Sequence, residues 1–210
     1  MDDSALTGFQ QEVARLFFAV PQAAGYLLAG GAALVASDLT NRPTRDLDFF
    51  THAPADTVTA GRDGLVKAIT ARGWSATIVR DTPTFCRLVL HGPEDLVVDL
   101  AVDSPPASPP TMTLLGPTLA PLELAGRKLL ALFGRAEARD FADVFVLAQR
   151  FGTSALLDQA ASIDAGFDER VLAEMLKTLA RFVDNEVPAD ADAVAAMREF
   201  FATWATELSN

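Results

Sequence analysis

Cysteine and histidine are scarce: the 210 residues contain one cysteine and two histidines. A lone Cys86 excludes a disulfide framework and a cysteine-based zinc site. His52 and His91 are too few for a histidine-rich centre, so a metal held here is a hard cation on carboxylate oxygens. No apolar run approaches the roughly 20 residues that span a bilayer. The start, with Asp2 and Asp3, lacks the positive charge of a secretory signal. A soluble, cytoplasmic protein with no membrane partner is expected. Positive charge is also in short supply, at 17 Lys+Arg against 28 Asp+Glu, a net of −11. Such a balance opposes binding to nucleic acid, but it is uneven. Residues 1–150 carry 13 Lys+Arg and 17 Asp+Glu (−4), and residues 151–210 carry 4 and 11 (−7). A cation bound to acids of the first stretch would bring it near neutrality and leave room for a local basic groove. The tail is too acidic to be a nucleic-acid surface.

Half of the residues are hydrophobic, enough for a real core in one domain with a helical extension. Leu6, Phe9, Val13, Leu16 and Phe17 fall at helical spacing, predicting a helix over about residues 5–20. The run Tyr26-Leu27-Leu28-Ala29 reads as a strand entering a turn at Gly30-Gly31, with a short helix over 32–37. A loop through Asn41, Pro43 and Thr44 leads into a second strand, Asp46-Leu47-Asp48-Phe49-Phe50. A helix over about 56–72, ended by Gly73, precedes strands at 76–79, 85–90 and 96–102. Gly92-Pro93-Glu94 is the turn of a hairpin joining the last two. Four prolines between Ser104 and Pro110 require a loop. Helices are predicted over about 122–133, 138–149, 169–183 and 192–208. The fold class is α+β: a mixed-sheet core in residues 1–110, then a helical region in residues 111–210.

The chemistry concentrates on three acids. Asp46 and Asp48 lie two apart on a strand, so their carboxylates point to one face while Leu47 faces the core. Adjacent like charges need a cation between them, and an all-oxygen pair suits Mg²⁺ or Mn²⁺. A lone Asp-x-Asp is as often a solvated strand end. Asp99 adds weight, because it sits amid Leu96-Val97-Val98-Asp99-Leu100-Ala101-Val102, where a mid-strand carboxylate is disfavoured and seldom buried without a partner. Gly30-Gly31 permits positive φ and close backbone approach, next to a helix start that offers N–H groups to phosphate. Lys128 falls on the apolar face of its helix beside Leu124, Ala125, Ala131 and Leu132. Asp140 borders the apolar face made by Phe141, Val144, Leu147 and Ala148. The two could form a salt bridge or serve a triphosphate.

Gly30-Gly31 followed by Arg42-Pro43-Thr44-Arg45-Asp46-Leu47-Asp48-Phe49 resembles the GG…T-x-D-x-D signature of polymerase-β-like nucleotidyltransferases. With Glu123-Leu124-Ala125-Gly126-Arg127-Lys128 and Arg139-Asp140-Phe141-Ala142-Asp143-Val144, the chain looks like the AbiEii/AbiGii-like toxin family, which includes the mycobacterial MenT toxins. The resemblance covers about residues 25–150. It implies a polymerase-β-like core whose active site the helical region completes. It further implies a toxin that moves NMP from an NTP, often a pyrimidine nucleotide, to the 3′ acceptor end of tRNA, neutralised by a cognate antitoxin. Carried over, Asp46, Asp48 and Asp99 hold two Mg²⁺ or Mn²⁺ ions, and Lys128 binds the triphosphate with support from Asp140. Gly30, Gly31, Thr44 and Arg45 would contact the nucleotide. Ala32 departs from the pattern, in which a Ser or Thr commonly follows the glycines, so one hydroxyl contact to phosphate is missing. Arg72, Arg80, Arg87, Arg127, Arg135 and Arg139 are candidate acceptor contacts. Two further readings stay open: transfer to a protein hydroxyl or a cationic small molecule, and a catalytically idle nucleotide-binding module.

Overall fold

The computed structural model describes residues 5–53 and 56–209. The chain divides into two compact units, residues 1–121 and residues 122–210. No helix among the described residues is long and apolar enough to cross a membrane.

The first unit is built on a seven-stranded mixed sheet of order β3-β4-β5-β2-β1-β7-β6. Its strands are β1 (Tyr26–Ala29), β2 (Asp46–Thr51), β3 (Ser75–Thr82), β4 (Phe85–His91), β5 (Asp95–Val102), β6 (Thr111–Thr113) and β7 (Gly116–Thr118). β2 pairs parallel with β5 and β1 parallel with β7, and the remaining pairings are antiparallel. Helix α1 (Gly8–Ala19) starts at a capping box. The Thr7 hydroxyl accepts from Gln10 N–H, and the Gln10 side chain accepts from Thr7 N–H. Its apolar stripe, Phe9, Val13 and Phe17, is buried, with Phe17 against Tyr26 and Phe49. Helix α3 (Asp56–Thr70) packs on β3, β4 and β5. Gly73, at φ +81°, turns the chain out of it. One face of the sheet, carrying Leu47, Phe49, Leu88, Leu90, Val98 and Leu100, is thus fully buried. Alternation then leaves Asp46, Asp48, Arg87 and Asp99 on the opposite face.

Three features differ from the sequence expectation. Helix α2 (Gly30–Ala36) begins at the glycines themselves, so they form its first turn rather than a turn before it. β3 runs eight residues, well past Val79, because an irregularity between Ile78 and Arg80 lets pairing continue. The stretch 111–118, expected to open the helical region, is instead a small hairpin, and Thr118 pairs with Leu28 of β1. Three-residue strands are too short to show an alternating pattern.

The second unit contains α4 (Pro121–Arg135, whose first residue closes the first unit), α5 (Ala138–Phe151), α6 (Thr153–Ile163), α7 (Glu169–Lys177) and α8 (Ala191–Leu208). Helix α6 was missed by periodicity, having only Leu156 and Ala160 buried. Residues 178–183 were expected to extend α7. They form a 3₁₀ turn, Thr178–Arg181, and then leave the helical path. Phe141 stands edge-on to Phe201 at 5.2 Å, and α7 packs on α8.

Candidate active site

Parallel register places Asp48 opposite Asp99, and Asp46 opposite Val97. Paired residues of adjacent strands project to the same side of a sheet, so all three carboxylates share one face. Asp46 and Asp48 are half-buried, and Asp99 is 7% exposed.

The loop before β2 holds the first acid in place. Thr44 Oγ1 donates to Asp46 Oδ1 at 2.8 Å. Thr44 is itself held by Gln10, whose Nε2 donates to the Thr44 carbonyl at 2.9 Å. Gln10 therefore caps α1 and fixes the motif loop with a single buried amide. The glycines meet the same motif. Gly30 has φ +60°, and a Cβ there would lie 1.8 Å from Asp48 Oδ2. A Cβ on Gly31 would lie 2.7 Å from Thr44 Oγ1 and 3.6 Å from Arg42 Nη2. Each glycine thus leaves the space that one motif side chain fills. Arg45, just before Asp46, is exposed.

Arg87 of β4 is the antiparallel partner of Asp99. Its Nε and Nη2 donate to Asp99 Oδ1 and Oδ2 at 2.8 and 2.6 Å, a bidentate pair. This hydrogen bonding lifts the Arg87 guanidinium above its ordinary pKa. Partial burial opposes the shift, while the charges of Asp99, Asp48 and Asp46 add to it. Sequence reasoning gave Arg87 no link to Asp99, although the hairpin turn at Gly92-Pro93-Glu94 supplies one. Counting back equally from Pro93 sets Arg87 against Asp99.

The donor chemistry of Asp46 and Asp48, an all-oxygen pair on one face with an acid opposite, fits a hard divalent cation. The described residues contain no group of three His, Cys, Asp or Glu already arranged to hold a metal; each oxygen of Asp99 accepts one hydrogen bond from Arg87 and keeps a second lone pair that a cation could use.

Lys128 and Asp140 lie in the helical unit. Lys128 Nζ stands 3.4 Å from Asp140 Oδ1 and 3.2 Å from Asp143 Oδ2, with Lys128 8% exposed and both acids essentially inaccessible. Arg135 Nε and Nη2 bind Asp140 at 2.9 and 3.0 Å. Burial alone would raise the Asp140 pKa. Hydrogen bonding from Arg135 and the charge of Lys128 outweigh it and hold the carboxyl below its ordinary value. The salt bridge that sequence left open is therefore present. Asp143, one turn beyond Asp140, is a member that sequence reasoning overlooked. Most of the candidate acceptor arginines have carboxylate partners. Arg72 pairs with Glu12, Arg127 with Glu123, Arg135 with Asp140 and Arg139 with Glu137.

A family model for the nucleotidyl transferase AbiEii toxin of type IV toxin–antitoxin systems matches residues 13–206. Among solved structures, the chain is similar to JHP933 from Helicobacter pylori, with TM-score 0.58 and 18% identity over 97% of this chain and 93% of that one. It is also similar to MenT4, a nucleotidyltransferase toxin from Mycobacterium tuberculosis, with TM-score 0.54 and 17% identity over 95% of this chain and 82% of that one. At these identities the likeness shows the fold, a nucleotidyltransferase-like α+β architecture. No curated protein sequence matches significantly.

Proposed function

The chain belongs to the AbiEii nucleotidyltransferase toxin family, and we propose that it transfers NMP from an NTP, by preference a pyrimidine nucleotide, to the 3′ end of tRNA and so blocks translation. The observation that carries this reading is the parallel register of Asp48 with Asp99, beside an Asp46 fixed by Thr44. In the reaction, the acceptor hydroxyl gives up its proton to solvent as its oxygen bonds to the α-phosphorus, the α–β anhydride bond breaks, and pyrophosphate leaves with the electron pair of that bond. Two Mg²⁺ or Mn²⁺ ions, held by Asp46, Asp48 and Asp99, would supply Lewis acidity toward the phosphates and acidify the hydroxyl.

The chain's own groups orient the reactants. The Thr44 hydroxyl donates to the Asp46 carboxylate and orients it, and Gly30 admits the Asp48 carboxylate against the start of α2. Gly30 and Gly31 give the Asp48 and Thr44 side chains the room they occupy beside the start of α2, where the nucleotide would bind. Arg45 and Arg42 offset charge that builds on the leaving pyrophosphate. Lys128 is assigned to the triphosphate, with its ammonium held by Asp140 and Asp143. In the proposal a cognate antitoxin is the regulatory partner, and the cytoplasm is the site of action.

The test is incubation with each labelled NTP, Mg²⁺ and total RNA, alongside an Asp46→Ala control. Label on tRNA, absent in the control, supports the proposal. Label on protein or on a cationic small molecule moves the acceptor to that class. NTP binding with no transfer to any acceptor makes the chain an idle nucleotide-binding module.

A further inference from the structure

Four strands place one residue each on a single transverse row of the open face. The register reads Arg80 of β3 opposite Arg87 of β4, Arg87 opposite Asp99 of β5, and Asp99 opposite Asp48 of β2. Three inter-strand steps make the row about 14 Å long. The two positions nearer the β3 edge of the sheet are cationic and the two on β5 and β2 are anionic.

The sheet irregularity creates this order. Continuing the pairing of Ile78 with Leu88 would set Arg80 against Cys86, on the buried face. The shift between Ile78 and Arg80 moves the register by one residue and puts Arg80 against Arg87. Like charges directly opposite on a sheet are unfavourable, and only Arg87 is compensated internally, by Asp99. Arg80 has no carboxylate partner among the described residues. Its guanidinium lies 5.3 Å from the centroid of Phe85, and that of Arg87 lies 5.9 Å from the same ring. Both arginines are exposed and the ring is half-buried. Two exposed guanidiniums beside one aromatic ring, one of them not offset by a carboxylate, put positive charge and flat stacking area together.

We propose that Arg80, Phe85 and Arg87 form the docking platform for the single-stranded end of a nucleic-acid acceptor. A phosphate is held by Arg80 and a base stacks on the Phe85–guanidinium layer, while the terminal hydroxyl lies toward Asp99 and Asp48. Aromatic and arginine planes bind bases without sequence preference, and the cation tracks the backbone. An acidic polypeptide would use the charge but leave the stacking surface idle, so nucleic acid is the better fit. The direction of the bound strand rests on the transferase reading of the carboxylates; the platform itself does not.

The experiment is fluorescence anisotropy of the full chain with a labelled short single-stranded RNA across a salt series, with steady-state transfer assays in parallel. Arg80→Ala and Phe85→Leu are the test variants, and Lys67→Ala, an exposed cation on α3 behind the sheet, is the control. Thermal melting checks that each variant is folded. Arg80→Ala should weaken RNA binding roughly tenfold and reduce the slope of log Kd against log salt by about 0.7, one phosphate contact. Phe85→Leu should weaken binding with little change in slope. The KM for the acceptor should rise in both, with the KM for NTP unchanged. The proposal is overturned if the wild type does not bind the RNA, if Lys67→Ala loses as much as Arg80→Ala, if the KM for NTP moves instead, or if polyglutamate displaces the RNA as well as unlabelled RNA does. Binding that depends on Arg80 without transfer to any acceptor would leave the platform standing and sink the transferase reading alone.

Discussion

Gly30 and Asp48 share a space that only one of them can fill: a β-carbon on the glycine would stand 1.8 Å from the Asp48 carboxylate oxygen. The glycine also sits at φ +60°, where a side chain costs roughly 1–2 kcal/mol. Gly30→Ala should therefore cost modest stability but displace the carboxylate. A misplacement on the scale of 1 Å lowers a rate about a hundredfold. Melting and labelled-nucleotide transfer measured on the same sample check this, and a variant with near-normal transfer would show that Asp48 need not occupy its present position.

Lys128 is the cation that Asp140 and Asp143 share in the helical unit. Removing one partner of a buried ion pair costs about 3–5 kcal/mol, so Lys128→Met should markedly lower the denaturant midpoint. A midpoint within error of the wild type would mean that Lys128 is not what keeps these acids stable in the fold, with Arg135 sufficing for Asp140.

Asp140 predicts the acid limb of stability. Its pKa is lowered on folding, so the ionised carboxylate contributes stability that is fully present above the unfolded value, 3.8, and is lost as pH falls through the folded value. Unfolding free energy should drop below about pH 4, and Asp140→Asn should be less stable at neutral pH with a shallower acid limb. An unchanged limb in the variant would place the titrating group elsewhere.

The parts of the fold that depend on periodicity were legible in the sequence. The stripe of Phe9, Val13 and Phe17 gave α1, and the alternation of Asp46, Leu47, Asp48 and Phe49 told which face the acids take. Register was legible only where a short turn sets it, as at Pro93. The crossover between β2 and β5 carries no such marker, so the match of Asp48 with Asp99 had to come from structure. The same holds for the shift at Ile78, which moves Arg80 to the open face with no glycine or proline to announce it. Gln10 looked like an ordinary helix residue, because its second hydrogen bond runs to Thr44, distant in sequence.

Cys86 is fully buried, and burial, followed by the charge of nearby Asp81, pushes its thiol up to about 11. The thiolate is the reactive species, so the native protein should resist a thiol reagent at pH 8 and label promptly in denaturant. Fast native labelling would mean that the β4 core opens on the timescale of the assay.

The central claim is that the acids of β2 and β5 hold divalent cations, and Mn²⁺ binding followed by electron paramagnetic resonance, with and without NTP, tests it apart from any acceptor. The wild type should immobilise Mn²⁺, more so with NTP, and Asp48→Asn should fold normally but leave the ion free. Equal Mn²⁺ binding by the wild type and the variant, or none by either, would contradict the claim.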